Sequence, residues 1–148
     1  MSFHSLAFRA FCQATEDESK VRKALNFASG VEEIESHSSE GYHGNRILIL
    51  TASIRNRKGI ELFFKRLGEE DLLRLLDSLE RRVDDDGNLF LRLDKQKAFM
   101  EELSLSDDEG DDVISVRGNV KAYPKSRERA LSVVSDFLNS VTSSGILE

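Results

Sequence analysis

Three groups of residues in this chain have types and spacings that could do chemistry. The first is basic: Arg55, Arg57 and Lys58 close one strand-like run, and Arg92, Lys95 and Lys97 flank "LRLDKQKA". Arg117, Lys121, Lys125, Arg127 and Arg129 follow along the last strand-like stretch and the helix after it. Brought onto one surface, such residues form a strip that neutralises phosphates; scattered, they are an ordinary mixed-charge surface. The second group is acidic, Glu16, Asp17 and Glu18. Neighbouring carboxylates can divide general-acid and general-base roles, but acids are also what the first turn of a helix attracts. The third is "GYHGNRILIL", Gly41 to Leu50, in which His43 and Asn45 precede a strongly apolar run. It reads as a ligand loop or as a turn in which Gly41 and Gly44 supply left-handed backbone.

Other chemistries find little support. His4, His37 and His43 lack the close spacing of a zinc site, and after Asn88 "DDDGN" is not followed by the required glycine and distant glutamate of a calcium loop, so it reads as a tight turn. No nucleophile elbow, P-loop or dinucleotide fingerprint occurs. The single cysteine, Cys12, excludes an internal disulfide or CxxC site and points to a reducing setting. The expectation is no catalytic residue, no metal and no cofactor. No run approaches the 18 or so apolar residues of a membrane helix, nor does the N-terminus read as a signal peptide, so the expected location is cytoplasmic, away from membranes. The net charge of -6 argues against a polyanionic partner at first sight. Of 27 acids and 21 bases, however, seven acids and no base fall in "EELSLSDDEGDD" (101–112), leaving 20 acids against 21 bases elsewhere. The acidity is therefore local, and the segment reads as a solvated connector.

The elements that must position these groups follow from periodicity. Leu6, Phe8, Ala10, Cys12 and Ala14 alternate with Ala7, Arg9, Phe11 and Gln13 and predict a strand with one clearly apolar face. Thr15 and Glu18 form a capping box, which predicts a helix from Glu16 with Val21, Ala24, Leu25 and Ala28 inward and Gly30 as its stop. "VEEIESHSSE" alternates weakly, and "RILILTASIRN" strongly; the two suggest a hairpin. Two helices follow, with Ile60, Phe63, Phe64 and Leu67 on one apolar face and Leu72, Leu75, Leu76 and Leu79 on the other, separated by Gly68. "LFLRL" is a strand, Asp94 caps a short helix, "DVISVRGNVKAY" is a long strand, and Pro124 opens a last helix over about 124–142. The order β-α-β-β-α-α-β-(α)-β-α, without regular βαβ alternation, predicts an α+β sandwich of two layers. Its sheet is mixed and mainly antiparallel, with helices packed on one face, in one domain spanning 1–148.

In their order and spacing, "ATEDESKVRKAL", "GYHGNRILIL", "LFLRLDKQKAF" and "DVISVRGNVKAYP" resemble a family of small archaeal RNA-binding proteins associated with the exosome. The resemblance spans about Phe8 to Pro124. It implies a fold similar to the ribosomal protein that carries 5S RNA, and no catalysis. It also implies shared polar positions at Thr15, Glu16 and Asp17, at His43, Gly44 and Asn45, and at Arg92, Asp94, Lys95 and Gln96, which one pocket could unite.

The leading expectation is a non-catalytic RNA-binding protein of archaeal RNA processing, RNA degradation or ribosome-related metabolism. Arg55, Arg57, Lys58, Arg92, Lys95, Gln96, Lys97, Arg117 and Lys121 would face the RNA. With no regular aromatic platform in the sequence, contacts to backbone and shape are expected over stacked bases. The alternative is a protein-interaction module, or a homodimeric subunit of a larger RNA-processing complex without direct RNA contact. A third reading, a nuclease or hydrolase, would use Glu16, Asp17, Asp94 and His43.

Overall fold

The structure, a computed structural model, describes residues 2–40, 46–107, 110 and 112–146. Along the chain run β1 (Phe3–Cys12), α1 (Glu18–Ser29), β2 (Glu35–Glu40), β3 (Arg46–Ile54), α2 (Arg57–Leu67) and α3 (Glu69–Asp77). They are followed by α4 (Leu79–Arg82), β4 (Asn88–Asp94), α5 (Lys95–Phe99), β5 (Val113–Val120) and α6 (Arg127–Ile146). The strands form an open antiparallel sheet in the order β2-β3-β1-β5-β4 with helices packed on it, the expected α+β class. Packing divides the chain into two compact units. One is Met1–Leu6, Ile54–Leu91 and Arg117–Glu148; the other is Ala7–Ser53 and Arg92–Val116.

In the second unit the alternation of β1 buries Phe8, Ala10 and Cys12, while α1 buries Val21, Ala24, Leu25 and Ala28. Removing each fully buried Leu or Phe from water contributes about 1.5–3 kcal/mol. Gly30 ends α1 at φ 74 with its N–H on the Asn26 carbonyl, 2.8 Å away. β2 pairs antiparallel with β3 from Glu35↔Thr51 to Glu40↔Arg46. Its described side chains are exposed on both faces, which is why its alternation is weak in the sequence. Residues 41–45 between them, with the expected motif residues His43, Gly44 and Asn45, lie outside the described residues.

Two local expectations are corrected here. The helix begins at Glu18, and its cap is Asp17, whose carboxylate accepts the Ser19 N–H at 2.9 Å; Thr15 is exposed and takes no part. A carboxylate at that position also neutralises the positive end of the helix dipole, which a hydroxyl does not. The 101–112 segment is also more than a solvated connector, since Leu103 and Leu105 are buried and Leu105 bridges to Leu93. Its backbone joins β4 through Asp94 N–H to Ser104 O (2.9 Å) and Ser106 N–H to Arg92 O (2.9 Å).

The first unit centres on rings. Phe3 stacks on Phe64 at 5.6 Å, and Phe137 meets both edge-on at 5.3 and 5.2 Å. Gly118 of β5 lies under this cluster, where an added Cβ would meet Phe3 Cε1 at 2.8 Å. Asn56 caps α2 through the Gly59 N–H at 2.7 Å. The "DDDGN" turn closes on itself, its Asp84 carboxylate accepting the Asp86 and Asn88 N–H groups at 3.0 and 2.8 Å. The last helix starts at Arg127, three residues after Pro124, with the Ser126 hydroxyl accepting the Arg129 N–H at 3.1 Å. It runs on to Ile146, beyond the expected end.

Candidate nucleic-acid interface

The cations singled out in the sequence have two opposite fates. Lys95 opens α5, where Asp94 caps the helix as expected by accepting the Lys97 N–H at 2.9 Å. The Lys95 side chain does not reach water, being 3% exposed. Its ammonium donates to the Phe11 carbonyl at 3.1 Å, lies 2.9 Å from a Glu16 carboxylate oxygen and 3.3 Å from Asp112 Oδ1. Three donors and three acceptors leave nothing over. The expected phosphate contact at Lys95 is therefore corrected: it is an internal tie between β1, the entry to α1, and the acidic segment. Gln96 is exposed and adds a hydrogen bond to Asp112 at 3.2 Å.

This arrangement brings two of the three expected motif groups together, 15–17 and 94–96, through Glu16 and Lys95. It gives their acids structural roles. Glu16 also accepts the Gln13 N–H at 3.0 Å, and Asp17 and Asp94 cap helices. The Ser19 hydroxyl at 2.7 Å and the Ser19 N–H hold the Asp17 carboxyl below its ordinary range. Beside them, burial pushes the Cys12 thiol upward, Glu16 adds to the effect, and Lys95 opposes it. A raised thiol is a poor nucleophile at neutral pH. Among the described residues no group of three or more His, Cys, Asp or Glu is placed to hold a metal ion.

The remaining expected cations are all exposed: Arg55, Arg57, Lys58, Arg117 and Lys121 in the first unit, Arg92 and Lys97 in the second. Arg57 pairs with Glu61 one turn on, at 2.9 Å. The side chains of Arg55, Lys58, Arg92, Lys97, Arg117 and Lys121 have no hydrogen-bond or ion-pair partner among the described residues. Arg127 and Arg129, by contrast, are spent on backbone. Arg127 donates to the carbonyls of Val83 and Glu80, and Arg129 to that of Tyr123 at 3.2 Å. Exposed cations with no intramolecular partner are free to meet phosphates without first breaking an internal bond.

A family model described as RNA binding matches residues 5–120. The chain belongs to this RNA-binding family. It is 38% identical over 145 residues to a protein of Pyrococcus abyssi named as an RNA-binding protein, with 91% of this chain and 93% of that one covered. An uncharacterized protein of Methanocaldococcus jannaschii is 29% identical, over 88% of this chain and 94% of the other. Among solved structures, a DUF54 protein from Methanothermobacter thermautotrophicus superposes with a TM-score of 0.79 at 35% identity, covering 93% of this chain and 99% of that one.

Sequence reasoning passed over residues that suit such a family. Arg9 lies over the Phe11 ring at 5.3 Å, and Lys20 and Lys23 approach the Phe99 ring at 5.6 and 4.8 Å. Phe90, on β4, is 44% exposed. The signal for Phe90 was present: in "LFLRL" the leucines alternate inward, which leaves the phenylalanine and Arg92 facing outward.

Proposed function

We propose that the protein is a non-catalytic RNA-binding protein that holds RNA by its phosphates and acts in RNA processing or degradation or in ribosome-related metabolism. The observation that carries this reading is the set of exposed cations without partners among the described residues, above all Arg117 and Lys121 on and just past β5, in a chain matched by the RNA-binding family over residues 5–120. The acids a nuclease reading would use are tied into helix caps and an ion pair, which favours binding over cleavage. The sequence resemblance further favours a place beside other proteins in an exosome-like assembly, and a fold related to the 5S-RNA-binding ribosomal protein. Partners are then RNA first and protein subunits second, with residues 1–148 acting as one domain.

The test is a salt titration of binding to single-stranded RNA. The log-log slope is expected to fall by about 0.7 for each phosphate contact removed, so Arg117→Ala with Lys121→Ala should lower it by about 1.4. Absent or salt-independent binding at low ionic strength would sink the reading. Protein partners captured from cell extract that survive nuclease treatment, with no RNA bound, would favour the interaction module instead.

A further inference from the structure

β4 and β5 of the first unit carry an outward surface that charge alone does not explain. Leu89 and Leu91 point inward from β4, as do Gly118 and Val120 from β5, so the outward positions in this unit are Asn88, Phe90, Arg117 and Asn119. The Val120 N–H donates to the Gly87 carbonyl at 3.3 Å. Counting back along the antiparallel pair from that bond brings Arg117 level with Phe90 and Asn119 level with Asn88. Directly opposed side chains in such a pair stand about 4.5–5.5 Å apart at Cβ. An exposed ring, a guanidinium and two amides thus lie together, and Lys121 follows just past the strand end. No carboxylate stands among the outward positions of β4 and β5 in this unit. The nearest acids along the chain are in the 84–86 turn, where the Asp84 carboxylate accepts the turn's own N–H groups and the half-buried Asn88 side-chain amide at 3.4 Å, while Asp85 and Asp86 are exposed.

We infer that Phe90 is a stacking platform for one base of single-stranded RNA, with Arg117 on the adjoining phosphate and the exposed Asn119 within reach of a base or ribose edge. This rests on the RNA-binding reading and sharpens it from phosphate neutralisation to recognition of unpaired nucleotides. An exposed phenyl ring offers a π-face to any base, the guanidinium satisfies the phosphate, and amides both donate and accept. Duplex RNA keeps its bases stacked inside and offers the ring nothing. The acidic turn at the Asn88 end favours the phosphate lying toward Arg117.

The test uses the whole chain and its lack of tryptophan. Phe90→Leu keeps an apolar side chain without the ring. Phe90→Trp keeps a ring and makes it the only indole. In fluorescence anisotropy with a labelled short oligouridylate, Phe90→Leu is expected to weaken binding by roughly 5- to 150-fold, the equivalent of about 1–3 kcal/mol per stacked base. Binding to a duplex of similar length and the melting temperature should not change. Phe90→Trp should bind as the wild type does, with its emission quenched on adding the single strand. Salt-dependent binding that is indifferent to Phe90→Leu, with no quenching in Phe90→Trp, would overturn the platform while leaving the phosphate reading intact. A wild type that binds no RNA would overturn both. A dimer that dissociates in Phe90→Leu would also overturn it, assigning the ring to contact with a second copy.

Discussion

Lys95 at the start of α5 and the Arg117–Lys121 stretch at the end of β5 draw on the same chemistry, a basic side chain, and the chain uses them in opposite ways. Lys95 is 3% exposed and shared among a carbonyl and two carboxylates. Arg117 and Lys121 are exposed, and neither side chain has a partner among the described residues. A desolvated ammonium is tolerable only where it is fully paired, and a fully paired ammonium has no donor left for a ligand. Burial decides which cations hold the fold and which can hold RNA. In the second unit the tie secures the acidic segment through Asp112; in the first, neutral contacts such as Phe3 against Phe64 hold the core and the surface charge stays available.

The comparison breaks most visibly at Lys95. Lys95→Met leaves Glu16 and Asp112 without their shared counter-ion. Removing one partner of a buried pair costs about 3–5 kcal/mol, and the lower end applies because Asp112 is 56% exposed and can turn to water. In a chain this long about 3 kcal/mol lowers the melting temperature by roughly 6–12 °C. The double variant Lys95→Met with Glu16→Gln should recover part of that loss, since no carboxylate at position 16 is then left unpaired. Arg117→Ala and Lys121→Ala should each stay within about 0.5 kcal/mol of the parent while weakening RNA binding. Unchanged melting in Lys95→Met together with weaker RNA binding would return Lys95 to the interface.

A smaller effect tests the neutral half of the comparison. Gly118→Ala places a methyl 2.8 Å from Phe3 Cε1 and 3.2 Å from Leu6 Cδ2, beneath rings already in contact with Phe64 and Phe137. Overpacking of this kind costs about 1–3 kcal/mol. The loss should appear in thermal melting, while RNA affinity and its salt slope stay with the parent, because Arg117 keeps its charge and its outward direction. A salt slope that falls in Gly118→Ala would mean that packing and charge in this unit are not separable.

What the sequence could show and what it could not divide along the same line. Periodicity exposed the inward faces of β1, α1 and β4, and local rules located Gly30 and the Asp94 cap, because each depends on residues within a few positions. The sequence does not reveal the burial of Lys95 because its partner Glu16 lies 79 residues earlier in the chain, and no local pattern reports a pairing at that distance. The 101–112 segment hides its packing for another reason: its acids outweigh the alternating Leu103 and Leu105, whose burial is a period-two signal within an acidic composition. The cap of α1 lies two residues later than the capping-box pattern indicates because Thr15, Glu16, Asp17 and Glu18 offer overlapping cap patterns, and Glu16 is engaged outside the helix by its ion pair to Lys95.

The smallest predicted effect concerns that cap. The Ser19 hydroxyl and N–H hold the Asp17 carboxyl below its ordinary 3.8. A folded-state value below the unfolded one means that the ionised cap stabilises fully above about pH 3.8 and loses that contribution as pH falls through the lower folded value. The carboxyl carbon of Asp17, followed by NMR, should therefore titrate with a midpoint below 3.8. Asp17→Asn keeps an acceptor oxygen for the helix N–H but removes the titration, so its stability should be less sensitive to acid over that range. Thr15→Ala should alter neither the midpoint nor the melting temperature, because the Thr15 side chain is exposed and the cap is made by Asp17. A midpoint at or above 3.8, with a loss of stability in Thr15→Ala, would move the cap back to Thr15, draw Glu16 into the helix and loosen the tie that keeps Lys95 buried.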